Sequence, residues 1–125
     1  MLNLTLVAVG GAFGASLRHL ANIAAARLFG TVFPWGTLII NVVGSLAMGL
    51  FVGYLVRKLG VSNEVKLFVA TGILGGFTTF SAFSLDFASL WERGSTLPAF
   101  GYAFASVITA ILALFLGLWL ARNIG

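Results

Sequence analysis

An all-α membrane protein of four transmembrane helices is the fold this sequence predicts, and three observations predict it. Of 125 residues, 60% are hydrophobic and only 8% charged, a balance too apolar for a water-facing surface on a chain this short. Mean hydropathy is +1.10. Four apolar runs, from Leu2 to Leu28, Phe33 to Val56, Val65 to Trp91 and Pro98 to Ala121, each meet the length of about 20 residues that crossing the hydrocarbon requires. The links between them are short, so residues 1–125 read as a single four-helix transmembrane domain, and any chemistry has to lie between helices. Cysteine is absent and His19 is the single histidine, which removes disulfides, thiolate chemistry and a histidine-based metal cluster.

The first run carries Arg18 and lacks a basic start, so it is read as a retained span rather than a cleaved leader. Charge sets the orientation. With four spans, Arg57, Lys58, Lys66 and Arg122 fall on one side, and Arg27, Arg93 and the deeper Arg18 on the other. Lysine and arginine asymmetry normally fixes topology. Here it is nearly balanced, so the chain is expected to insert either way up, which admits an antiparallel homodimer.

In span one, Gly10 and Gly14 form a small-xxx-small face suited to close helix contact. Arg18 lies inside the same span, where an arginine costs about 2.5 kcal/mol or more, so it is expected to snorkel or to face an aqueous vestibule. Span two opens with Pro34 and Trp35, a helix-starting proline and an interfacial indole. Thr37 and Asn41 then share a face, one turn apart. Asn41 brings two N–H donors and an acceptor to membrane depth, either as glue between helices or as a ligand contact.

Span three is longer than a straight crossing needs and contains Gly75-Gly76-Phe77-Thr78-Thr79-Phe80-Ser81. Paired glycines followed by β-branched threonines weaken a helix, so a break is expected from Gly75 to Thr79. Non-helical backbone survives in a bilayer only where protein or a cavity satisfies it, which makes the break a binding feature. Past it, Phe80, Phe83 and Phe87 form a stripe with Ser81 and Ser84 beside it; such a stripe is packing or, through its positive ring edges, an anion site. Asp86 is placed near the membrane boundary. Span four offers Tyr102, Ser106 and Thr109, the last two on one face, either bonded back to their own helix or turned to a polar track.

Three blocks then carry a resemblance. Gly10-Gly11-x-x-Gly14-Ala15-x-x-Arg18, Pro34-x-Gly36-Thr37-Leu38-x-x-Asn41-x-x-Gly44 and Gly75-Gly76-Phe77-Thr78-Thr79-Phe80-Ser81-x-Phe83 resemble, in order and spacing, the signature blocks of the bacterial fluoride channels, the Fluc or CrcB family. The third block is the specific one. The resemblance implies a dual-topology antiparallel homodimer in the bacterial inner membrane, with two fluoride pathways and one structural sodium ion at the dimer centre. By that likeness, the backbone carbonyls of Gly75 and Thr78 hold the sodium. Asn41, Phe80 and Phe83 match the pore positions, with Ser81 beside them, and Arg18 matches the vestibule arginine. Thr37, Thr79, Tyr102, Ser106 and Thr109 are candidates for the polar track.

The activity so implied is passive, fluoride-selective export with no enzymatic step and no nucleic-acid partner. A four-span multidrug or cation exchanger is the main rival, but proton coupling needs a buried carboxylate, and span one has none, Glu64 is in a loop, and Asp86 and Glu92 remain only near the end of span three. A membrane scaffold is the third reading. It leaves Asn41 and the phenylalanine pair beside a helix break without a purpose.

Overall fold

The computed structural model describes residues 1–124, and among these the regular structure is entirely helical. Two 28-residue helices, α1 (Leu2–Phe29) and α6 (Thr96–Asn123), frame the chain. At 1.5 Å per residue each reaches about 40 Å, the full bilayer with its headgroups. Between them, α2 (Trp35–Leu50) passes into the π-helical segment π1 (Phe51–Val56). The third crossing is composite, with α3 (Asn63–Lys66), π2 (Leu67–Leu74), α4 (Gly75–Phe77) and α5 (Ser81–Glu92). Four stretches are long and apolar enough to cross a membrane: Leu2–Phe29, Trp35–Val56, Asn63–Glu92 and Thr96–Asn123. They match the expected runs to within a few residues at each end.

The chain turns where local chemistry tells it to. α1 stops at Gly30, whose φ of 78° is open to glycine and whose N–H returns to the carbonyl of Ala26. Gly94, with φ 81°, makes the tight link from α5 to α6 in the same way. At the start of α3, Ser62 Oγ accepts the N–H of Val65 at 3.3 Å, a serine cap.

Packing follows the small residues. α2 lies along α6, and α1 lies along π2 and α4. At the first contact, a methyl group on Gly117 would sit 2.5 Å from the carbonyl oxygen of Leu46, and one on Gly49 would strike that of Leu114. At the second, a methyl on Gly76 would be 2.7 Å from the carbonyl oxygen of Gly11, and one on Gly14 would strike that of Ile73. Backbones touch because side chains are missing, the usual device where lipid supplies no hydrophobic drive between helices. Tyr102, Leu90 and Ala99 form the buried centre at one end, with Phe33, Leu38, Phe83 and Phe87 packed around it. The opposite face of α6, including Phe104, Ile108, Leu112 and Phe115, is exposed.

At the other end of the bundle, Lys58 ties the last helix down. Its Nζ donates to the carbonyls of Arg122 at 3.1 Å and Ile124 at 2.7 Å, and lies 5.8 Å from the Tyr54 ring centroid. These carbonyls are among those a helix leaves without partners, and a cation there also meets the negative end of the helix dipole. Lys58→Met, which keeps the aliphatic stem, is expected to lower the unfolding midpoint in detergent by the equivalent of about 1 kcal/mol at most, since the site is solvent-exposed. A larger loss would mean that the clamp supports more than the end of α6.

Candidate functional site

The site begins with three residues that leave the helix. Residues 78–80 separate α4 from α5, and Thr78 is extended at φ −83° and ψ 160°. The sequence placed the interruption from Gly75 onward, whereas the two glycines are helical in α4 and only the threonines and Phe80 depart. The reason lies in packing, since Gly76 is needed against Gly11 as it stands. Glycine there permits contact; threonine ends the helix.

Asn41, projecting from α2, holds the departure open. Its Nδ2 donates to the carbonyl of Thr79 at 3.0 Å, and its Oδ1 accepts the N–H of Thr79 at 2.9 Å. One amide side chain thus satisfies both backbone groups of one non-helical residue, as a neighbouring strand would. The threonines complete the turn. Thr78 Oγ1 donates to the carbonyl of Leu74 at 2.9 Å, and Thr79 Oγ1 accepts the N–H of Ala82 at 3.2 Å and lies 3.3 Å from Ser81 Oγ. Two carbonyls lose their usual donors in this exchange. The N–H of Thr79 goes to Asn41 instead of Gly75, and that of Ala82 goes to a side chain instead of Thr78. Both are oxygen ligands suited to a hard cation.

Beside the break lies a cavity of about 400 Å³, walled by Asn41, Gly44 and Ser45 of α2, by Thr78, Thr79, Phe80 and Phe83, and by Ser106 and its neighbours on α6. Gly44 makes room for it, because a methyl group there would strike the Thr78 side chain. The wall contains no carboxylate. Its one deeply buried hydroxyl, Ser106, is 5% exposed, and its Oγ has no hydrogen-bond partner. A buried hydroxyl without a partner is costly, and this oxygen is closed off from the cavity, so a turn of the Ser106 side chain is needed before it can meet a ligand. The rings sit at one edge. Phe80 and Phe83 are 5.5 Å apart between centroids, and Phe83 is 5.2 Å from Tyr102. Phe80 is 77% exposed, so the cavity opens past it on the outer side of the chain.

Several expected members stand elsewhere. Thr109 was grouped with Ser106, but it borders a separate apolar groove with Phe29, Trp35 and Ile39 and bonds back to the carbonyl of Ala105. At 100° per residue, three positions are enough to turn a hydroxyl off a narrow wall. Thr37 is buried one turn before Asn41, outside the cavity lining. Gly75 and Ser81 are exposed at the break, and Arg18 is half-buried on α1; none of the three lines the cavity. Tyr102 is wholly buried behind Phe83, and its hydroxyl donates to Asp86 Oδ2 at 3.0 Å.

Asp86 is the functional candidate that sequence reasoning set aside. It is half-buried, borders a pocket with the link residues Thr31, Val32 and Pro34 and with Arg93, in keeping with a place toward the end of the span, and accepts a hydrogen bond from the buried Tyr102. Its spacing of three from Phe83 was the available signal, since that places both on one side of α5. Among the described residues no cluster of His, Cys, Asp and Glu could hold a metal ion, so an ion here would depend on backbone oxygen.

Comparison with known proteins adds the lineage. The family model described as CrcB-like protein, Camphor Resistance (CrcB), matches residues 5–118. The chain is 72% identical over 124 residues to the fluoride-specific ion channel FluC of Mesorhizobium japonicum, covering 99% of each protein. It is 63% identical over 124 residues to the protein of that name from a Chelativorans species, again covering 99% of each. With the relative from Agrobacterium fabrum it shares 53% over 125 residues and the same coverage. A match that runs through all four spans and takes in the Asn41 bridge and the Thr78 break places this chain in the CrcB family.

Proposed function

We propose that this protein is a passive fluoride channel of the bacterial inner membrane, working as an antiparallel, dual-topology homodimer with two pores and a structural sodium ion at its centre. The observation that carries the reading is the cavity wall. It brings together the Asn41 amide, Ser106 and the rings of Phe80 and Phe83, with no carboxylate to repel an anion. Hydroxyl and amide donors replace part of the hydration shell of a small anion, and ring edges contribute positive potential at low dielectric. A larger halide fills the same space with weaker contacts. The naming of the relatives as fluoride-specific ion channels agrees.

Transport needs no coupled energy source. A cell interior negative by 100 mV favours expulsion of one negative charge by about 2.3 kcal/mol. The protein's task is to provide a path and reject chloride, which excludes a reaction step.

The dimer rests on two features of the single chain. Its lysines and arginines are divided nearly evenly between the two sides, and Phe80 projects from the cavity edge with 77% of its surface uncovered. A second copy would close that side. Sodium fits the oxygens released at the break, those of Gly75 and Thr78, two from each protomer. The ion would supply positive charge at the point where two interrupted helices meet, and Asn41 would keep the strands that present those oxygens in place. Arg18 would draw anions toward the mouth.

The test is efflux from fluoride-loaded liposomes containing the purified protein, with chloride-loaded vesicles as the control. Fluoride release without chloride release is expected, reduced by at least about tenfold in Phe83→Ile while the dimer persists. Exchanging sodium for a much larger cation should also slow release. If purified protein releases neither ion, the proposal fails.

A further inference from the structure

A second cleft stands at the Gly94 turn, at the opposite end of α5 from the break. Phe87, Ala88, Trp91 and Glu92 at the end of α5 and Phe100 at the start of α6 border a cleft of about 340 Å³. The rings form a corner. Phe87 and Trp91 lie nearly parallel at 23° and 6.4 Å between centroids, and Phe100 stands at 80° to both, 5.5 Å from Phe87 and 5.9 Å from Trp91. Trp91 is 51% exposed and Phe100 44%, so neither surface is used up by internal packing.

Charge points the same way. The chain as a whole carries +4, which favours anionic lipids over its general surface. At this corner the one charged residue on the rim is Glu92. Arg93, next in sequence, keeps its positive charge but borders a different pocket, where its Nη2 donates to the carbonyl of Val32 at 2.9 Å, on the connection between α1 and α2. Glu92 ends α5, and Trp91 precedes it, so the cleft lies where headgroups meet the acyl region.

We propose that this corner binds the quaternary ammonium head of a choline phospholipid. Exposed ring faces attract a weakly hydrated cation, the carboxylate adds attraction, and the lipid's chains run down the apolar side of Phe87 and Phe100. The site is independent of ion conduction and would stand if the fluoride assignment failed.

The test uses Trp91 as its own reporter. The full chain with Trp35→Phe and Trp119→Phe is placed in phosphatidylglycerol vesicles holding a minor share of lipid with brominated chains, on choline, ethanolamine or glycerol heads. Quenching of Trp91 by the choline lipid should exceed that by the glycerol lipid at equal mole fraction by about threefold, with ethanolamine between them. Glu92→Gln, checked for unchanged circular dichroism, should abolish the difference, as should Phe100→Ala. Equal quenching by all three lipids overturns the proposal. So does an ethanolamine preference, which removes the quaternary assignment, or a Trp91 that no brominated lipid reaches, which gives the corner to another protein copy.

Discussion

Asn41→Leu is expected to reduce fluoride efflux by about 100-fold, the larger of the two functional losses predicted for a single side chain. Leucine occupies nearly the same volume, so packing between α2 and the third crossing is preserved, but both bonds to Thr79 disappear. At roughly 1–1.5 kcal/mol for each bond and a further cost for the stranded carbonyl and N–H, the loss is enough to let residues 78–80 re-form the helix or collapse into the cavity. Either outcome removes an anion donor from the wall and changes the direction of the Gly75 and Thr78 carbonyls. The variant should therefore lose its response to sodium along with its flux. Liposome efflux measured in sodium and in a larger cation checks both, and a variant with normal flux and normal sodium response would show that the break keeps its shape without Asn41.

Gly14→Ala is expected to produce the largest loss of stability, about 2–3 kcal/mol. The added methyl would strike the carbonyl oxygen of Ile73 and lie 2.8 Å from the backbone N of Phe77. Neither neighbour is a side chain that can rotate away, so α1 must move off the third crossing just ahead of the break. Gly11→Ala is the matched control. It lies on the same helix, three residues earlier, and its methyl would find nothing within 4 Å. Thermal unfolding in detergent should place the Gly14 variant well below wild type and the Gly11 variant at or slightly above it, since alanine favours the helix. Equal midpoints for the two variants would mean that the close approach of α1 relaxes at little cost.

Much of this architecture could be read one residue at a time. The four crossings follow from hydropathy and length. The order and spacing of Gly75 to Phe83 carried the family. Other features were hidden because they depend on which way a side chain turns. Ser106 and Thr109 look alike at i, i+3, yet one enters the cavity and the other leaves it. The bond that Asp86 accepts from Tyr102, sixteen residues on, was hidden in the same way.

Composition and periodicity alone determined that this chain lives in a membrane, crosses it four times and weakens its third helix near the middle. Those properties depend on transfer free energy and local backbone preference, which each segment carries by itself. Only the tertiary structure decided where the weakness is spent. Asn41 reaches Thr79 across 38 positions of sequence, Gly76 stays helical to meet Gly11, and Ser106 is left with a buried, unpaired hydroxyl behind the wall of a cavity. Each is a contact between helices, set by how backbones approach and which groups remain unsatisfied when they do.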